Sequence, residues 1–445
     1  MTLGGRSGGW ILASFGGLAV RGAEVAAKLS LYMLAARLLD DQQCGALFLG
    51  MSWGMLAATA SRLGIEKALS RLLAAELAVG QGRAARRVLV KGHLVVLAAG
   101  VAAGAATFAA APFAAASLFH AATVSSLRAA GILVPCLAIA VTLSFALVGF
   151  GRTVLSQILQ NLSWPIGMLA ALGLGARQAG DLLLVMAGTQ LAAALVALAV
   201  FRYERARLQD DRPLAQGAEP LPDLRRTAGP LYVVELVQVS INALPVLFLG
   251  CFADARDVAL FSVANRASML VLVVILSLSL TAAPHFASLH RRGQVAELAL
   301  MARRTQLAGL AVGGPICLCL ALLAGTLLGL INSEYTAGRS VLVILAAGQF
   351  VNALYTGLDS LLAMTGHGAV LRVLNLIQLL AMIVLGLVLI PGFGSLGAAI
   401  VAAIVTAQGS VCSAAVIAVY LPGVAPRMAP PLPDYVRHLL VRATA

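Results

Sequence analysis

The sequence predicts an all-α polytopic membrane protein with about 12 transmembrane helices, divided six and six. Three observations carry that expectation. The 445 residues are 60% hydrophobic and 11% charged, against about 25% charged in an ordinary soluble domain. The apolar residues are gathered into a dozen runs of the length, about 20 residues, that a helix needs to cross a bilayer core. The basic residues sit almost entirely in alternate gaps between those runs. Backbone polar groups in lipid must be satisfied within the segment, so the runs are expected to be helices.

In chain order, the first span covers residues 10–38 and is interrupted by Arg21, Glu24 and Lys28. Its length and central charges distinguish it from a cleavable signal. The second span covers 44–65. The third, 93–119, follows a basic stretch, and the fourth and fifth, 131–150 and 154–176, are separated by a gap holding Arg152. The sixth, 181–201, ends at the longest polar gap. The seventh, 230–251, contains Pro245, which removes a helical hydrogen bond and is expected to bend or hinge it. The eighth, 258–284, carries Arg266, about 13 Å from its start at 1.5 Å per residue. The ninth covers 307–331. The tenth, 340–365, is lined by Gln349, Asn352, Tyr355 and Asp359 at spacings of three and four. The eleventh and twelfth, 367–390 and 395–420, are joined by a tight turn.

Orientation follows from the basic residues. With a cytoplasmic N-terminus, the inner segments hold Arg6, then Lys67, Arg71, Arg83, Arg86, Arg87 and Lys91, then Arg152. They continue with Arg202, Arg205, Arg207, Arg212, Arg225 and Arg226, then Arg291, Arg292, Arg303, Arg304 and Arg372, and finally Arg427, Arg437 and Arg442. That is 22 of the 31 Lys and Arg; the opposite gaps hold only Arg128, Arg177, Arg256 and Arg339. Both termini are therefore expected in the cytoplasm. A net charge of +13 in a soluble protein would suggest nucleic acid. Here it tracks topology and favours anionic lipid on the inner face, so no nucleic-acid partner is expected.

The polar stretch RYERARLQDDRPLAQGAEPLPDLRR, with its charge, Pro and Gly, reads as a solvated linker. It divides the chain into an N-terminal six-helix lobe (1–201), a cytoplasmic linker (202–229), a C-terminal six-helix lobe (230–420) and a cytoplasmic tail (421–445). An even number of spans in each half places corresponding helices in the same direction, as in parallel repeats. Weak self-similarity agrees with duplication. AVGQGRAARRVLVKG (78–92) and RRGQVAELALMARRT (291–305) are each a Gly-Gln turn followed by a basic helix. Asn161 aligns with Asn375, and Glu24 with Glu235.

Two enzyme motifs occur by chance. Gly50-Met51-Ser52-Trp53-Gly54 fits a nucleophile elbow, which requires a strand-to-helix turn, but it lies in an apolar helix. Gly392-Phe393-Gly394-Ser395-Leu396-Gly397 fits a dinucleotide fingerprint, yet no Asp or Glu lies between Asp359 and Asp434 to hold a ribose. Pro391–Gly397 is expected instead to be an outer turn. Cys44, Cys136, Cys251, Cys317, Cys319 and Cys412 show no metal spacing, and His285 and His290 are five apart, off a common helical face. No catalytic residue, metal or cofactor is expected. The outer gaps are too short for the large loop of a membrane glycosyltransferase or polymerase.

Charge within the bilayer is costly and faces a bundle interior. Arg21, Glu24 and Lys28 share one face of the first span through offsets of three, four and seven. Pairing Glu24 with either neighbour leaves that face at +1. Glu235, Gln238 and Asn242 repeat the i, i+3, i+7 geometry in the seventh span. With Arg266, Asn352 and Asp359 they form the candidate transport-cavity set. The alternative for the Gln and Asn residues is that they fasten helices together. A cavity whose unpaired charge is basic suits a phosphate or pyrophosphate.

Several separated segments resemble the polysaccharide flippases of the multidrug/oligosaccharidyl-lipid/polysaccharide exporter superfamily. DARDVALFSVANRASMLVLVVILSLSLTAAPHFASLHRRGQ (254–294) is similar to a stretch in which "vg.ys.a.r" precedes an apolar run, a Pro and a basic loop. Gly348-Gln349-Phe350-Val351-Asn352 through Leu362-Ala363-Met364-Thr365-Gly366 resembles "LalgqlvnaL…lLnatG". Leu389-Ile390-Pro391-Gly392-Phe393-Gly394-Ser395-Leu396-Gly397-Ala398-Ala399 resembles "LIP.fG..GAA", and Arg62-Leu63-Gly64-Ile65-Glu66-Lys67-Ala68-Leu69-Ser70-Arg71 resembles "lGle.al.R". The resemblance implies two six-helix lobes in a V around a central cavity. It also implies alternating access that moves an undecaprenyl-pyrophosphate-linked oligosaccharide across the bacterial inner membrane for assembly of O-antigen (part of lipopolysaccharide), capsule or exopolysaccharide. Polysaccharide polymerase and glycosyltransferases would be its partners. Arg21, Lys28 and Arg266 match the cationic cavities of the family. The chain departs from fourteen-span members, lipid II flippases included, in lacking a further C-terminal helix pair. The rival within the superfamily is a drug/cation antiporter, which would favour an acidic or aromatic cavity.

Overall fold

The computed structural model describes residues 6–78, 82–206, 224–331 and 333–424. Among these, every regular element is helical. Nine segments are long and apolar enough to cross a membrane. The other three of the twelve expected spans are accounted for by identifiable physical causes. Helix α1 (Arg6–Leu38) has the length but carries Arg21, Glu24 and Lys28 across its middle. The fifth span is divided into α6 (Thr153–Gln157), a wide π turn (Ile158–Leu162) and α7 (Ser163–Gly173). Pro165 lacks the N–H that would bond the Asn161 carbonyl, and the wide turn absorbs that mismatch. The eleventh and twelfth spans run together as α15 (Gly368–Tyr420), which is interrupted at Gly394.

The remaining helices follow the expected order. They are α2 (Asp41–Arg62), α3 (Ile65–Ala78), α4 (Gly82–Ser117), α5 (Val124–Gly149), α8 (Ala179–Ala206), α9 (Leu224–Phe252), α10 (Ala255–Arg291), α11 (Val295–Leu322), α12 (Ala324–Gly329), α13 (Arg339–Leu354) and α14 (Leu358–Met364). Two details differ from the sequence reading. The basic stretch before the third span and that span form one helix, α4. The tenth span is broken between α13 and α14, where Gly357 adopts φ +85°. Helix α9 continues through Pro245. The expected linker contributes 202–206 to α8 and 224–229 to α9; its centre, the Gly-Gln turn at 80–81 and the C-terminal arginines lie outside the described residues.

The chain forms two compact units: Met1–Ala243 with Asp254–Arg256, and Leu244–Ala253 with Asp257–Ala445. The first is built around α5, which packs against α2, α3, α4 and α8. Small residues permit the close α4–α5 approach: a Cβ on Gly131 would stand 2.8 Å from the Gly104 carbonyl oxygen. Membrane helices associate through such close contacts, because lipid supplies no hydrophobic drive. Thr123 starts α5 with a capping box closed by Ser126, which satisfies helix N–H groups that would otherwise be orphaned.

In the second unit, α13 packs on α11 and α15. Thr305, Gly309 and Gly313 recur every four residues on α11, and both glycines lie directly against the break in the tenth span, through Thr356 and Ala353. The turn inside α15 explains the "LIP.fG..GAA" pattern. Gly394 has φ +52° and ψ −132°, a conformation open to glycine. Asp257 accepts the Ser395 N–H at 3.3 Å and also the Ser395 hydroxyl. The start of the twelfth span is thus capped by a side chain from α10.

Candidate functional site

In the first unit, α1 packs against α6, the π turn and α7, which brings the α1 charges beside Trp164. Lys28 Nζ donates to Glu24 Oε1 at 2.6 Å and lies 5.4 Å from the centroid of the Trp164 ring. Trp164 is 3% exposed, so the cation rests on a buried aromatic face. Such contacts contribute about 0.5–2 kcal/mol, more as water is excluded. Helical spacing puts Arg21 on the same face, half-buried. Among the described residues no acid pairs with it, so the pairing of Glu24 with Lys28 leaves the surplus charge at Arg21.

The other polar set of this unit divides. Glu235 forms an ion pair with Lys67, a lysine that the sequence reading assigned to topology. Asn242 is exposed and donates to the Gln238 carbonyl at 2.8 Å. Along the i, i+3, i+7 face, Glu235 thus turns to α3 while Asn242 bonds back to its own helix.

In the second unit, Arg266 is half-buried on α10, with Nη1 3.6 Å from Met269 Sδ. Across α13–α15, Asn352 donates to Gln349 Oε1 at 3.3 Å and accepts from Ser410 Oγ at 3.1 Å. One turn further along α15, Ser413 Oγ donates to Asp359 Oδ1 at 2.6 Å. Gln378 Nε2 donates to the Val405 carbonyl at 3.2 Å, an approach that needs the missing side chain of Gly409. Asn352 and Asp359 are thus joined through one helix by serines three residues apart. The acid and the amides stand out in the sequence; Ser410 and Ser413 do not. A helical serine usually satisfies itself on its own i−4 carbonyl, so those positions carried no signal. Among the described residues no three His, Cys, Asp or Glu are grouped to hold a metal.

Among the described residues, the first unit thus offers a guanidinium without a paired acid beside a lysine held in place, and the second unit offers a strip of neutral donors and acceptors. The first arrangement is suited to an anionic group and the second to hydroxyl-rich groups.

Comparison with known proteins agrees with this architecture. No curated protein matches the chain. Among solved structures, it is similar to the inward-facing conformation of a multidrug resistance MATE family transporter of the MOP superfamily. That similarity has TM-score 0.66 and 15% identity, covering 95% of this chain and 96% of that one. It is also similar to the lipid II flippase MurJ in an inward closed conformation, with TM-score 0.55 and 11% identity, covering 97% and 96%. A third is a MOP superfamily transporter from Pyrococcus furiosus, described as having a binding pocket of reverse polarity, with TM-score 0.59 and 14% identity, covering 97% and 95%. The MatE family matches residues 230–388. The polysaccharide biosynthesis protein family matches residues 18–290, more than half of the chain. The chain therefore belongs to that polysaccharide biosynthesis family.

Proposed function

We propose that the protein is a flippase that moves undecaprenyl-pyrophosphate-linked oligosaccharide across the bacterial inner membrane by alternating access, for O-antigen, capsule or exopolysaccharide assembly. The observation that carries this reading is the charge arrangement on α1: Glu24 and Lys28 neutralise each other and Arg21 remains positive. A guanidinium presents a planar fork of donors matched to phosphate oxygens. The second unit has a cation of its own, Arg266, and its strip of Gln349, Asn352 and Ser410 offers the neutral hydrogen bonding that sugar hydroxyls require. In this reading residues 1–201 and 230–420 are the two lobes, both termini are cytoplasmic, and pathway polymerase and glycosyltransferases are the partners. Single-cysteine labelling at Gln216 in a cysteine-free background checks the orientation: reagent reaching it from the outer side contradicts it.

Binding by the purified protein tests the substrate class. Charge-assisted phosphate bonds are roughly twice as strong as neutral ones. Polyprenyl-pyrophosphate oligosaccharide should therefore bind well and the free oligosaccharide poorly. Equal affinity for the two rejects the reading. The MatE match and the acid at Asp359 favour the second reading, a drug/cation antiporter. Tight binding of organic cations with none of the lipid-linked glycan would establish that alternative.

A further inference from the structure

Helix α9 is divided between the two units: it belongs to the first through Ala243 and to the second from Leu244, at the residue before Pro245. Its first half rests on the elbow between α2 and α3. Leu63 and Gly64 both adopt the left-handed conformation there, at φ +54° and +71°. A Cβ on Gly64 would lie 2.5 Å from the Ala228 carbonyl oxygen and 2.6 Å from the Tyr232 nitrogen. The elbow is internally compensated. Arg62 and Glu66, 7% and 1% exposed, pair across 3.4 Å, and Arg62 also donates to Thr59 at 2.9 Å.

The neighbouring pair is different in kind. Lys67 of α3 and Glu235 of α9 form an ion pair with side chains 38% and 25% exposed. Pairs this accessible are weak, with a range of about 0–1 kcal/mol, so a stronger anion can displace the carboxylate. Arg71 follows Lys67 by one helical turn and is exposed. Lys67, Arg71 and Glu235 therefore leave this face at +1, on the side of the membrane that the basic residues mark as inner.

We propose that Lys67 and Glu235 form a catch that the substrate releases. A diphosphate arriving from the inner leaflet takes Lys67 from Glu235, with Arg71 as its second cation, and frees the first half of α9 from the elbow. This rests on the diphosphate-lipid reading above and assigns Lys67 a positioning role beyond the topological one that its sequence position suggests. The catch is set by charge, whereas the fit of Gly64 against Ala228 and Tyr232 only defines where α9 docks.

Hydrogen exchange over residues 231–243 in the full-length protein in nanodiscs tests this, with farnesyl diphosphate as the probe and farnesol as the control. In the wild type, farnesyl diphosphate should raise exchange there about fivefold, the weight of an exposed ion pair at the strong end of its range, and farnesol should not. Glu235→Gln should show the raised exchange without ligand and little further response. Exchanging the pair, with Lys67→Glu and Glu235→Lys together, should restore protection and remove the response to diphosphate; this also guards against Glu235→Gln acting by misfolding. Farnesyl diphosphate that binds without altering this segment overturns the catch and leaves the proposed function standing. Failure of farnesyl diphosphate to bind at all overturns both.

Discussion

Arg21→Gln should reduce glycan export at least roughly tenfold while leaving the amount of protein in the membrane unchanged. A hydrogen bond to a charged group contributes about 1.5–3 kcal/mol, and in this account Arg21 is the group that meets the pyrophosphate. No acid among the described residues pairs with it, so the substitution strands no partner. Lys28 provides the contrast: it pairs with Glu24 at 2.6 Å and rests on Trp164. Lys28→Gln breaks the Glu24 pair and the Trp164 contact together, so it removes packing of α1 as well as a charge. Export and abundance should therefore fall together for Lys28→Gln and separate for Arg21→Gln. Export assays read alongside quantitative immunoblots of membranes distinguish the two. Normal export by Arg21→Gln rejects Arg21 as the anion contact.

The second large effect belongs to the turn within α15. Gly397→Val should eliminate most of the folded protein, because a Cβ there would lie 2.5 Å from the Leu389 carbonyl oxygen and 3.2 Å from Ile390 Cα. These neighbours are backbone atoms, which cannot rotate away as a flexible side chain can. Overpacking a tight site costs about 1–3 kcal/mol or more, a large fraction of a marginal stability. Gly392 in the same turn meets nothing within 4 Å, so Gly392→Ala is the matched control. Thermal unfolding in detergent, with size-exclusion profiles, should show Gly397→Val aggregated and Gly392→Ala near wild type.

The spans and the turn within α15 could be read from sequence because the bilayer enforces them: apolar length fixes the helices, and Pro391 with three glycines punctuates the turn. The Glu24–Lys28 pair was legible through its i, i+4 spacing. The interruptions were less so. The π turn at Ile158–Leu162 precedes its cause, Pro165, and the break at Gly357 depends on a neighbouring helix, α11, that supplies small residues to receive it. Long-range partners were illegible for a simpler reason. Lys67 and Glu235 are 168 residues apart, and Ser413 and Asp359 are 54 apart; no local pattern connects either pair. Lys67 looked like one more inner-face cation because the same residue type serves both topology and pairing.

The central claim is that the protein carries a lipid-linked glycan by its diphosphate end. The most direct measurement reconstitutes it in liposomes with a fluorescent polyprenyl-pyrophosphate oligosaccharide and follows the fraction accessible to a membrane-impermeant quencher. Protein-dependent transfer between leaflets is expected, lost in Arg21→Gln and undiminished by organic cations. Transfer equal to that of protein-free liposomes, accompanied by uptake of organic cations by the same vesicles, would contradict it.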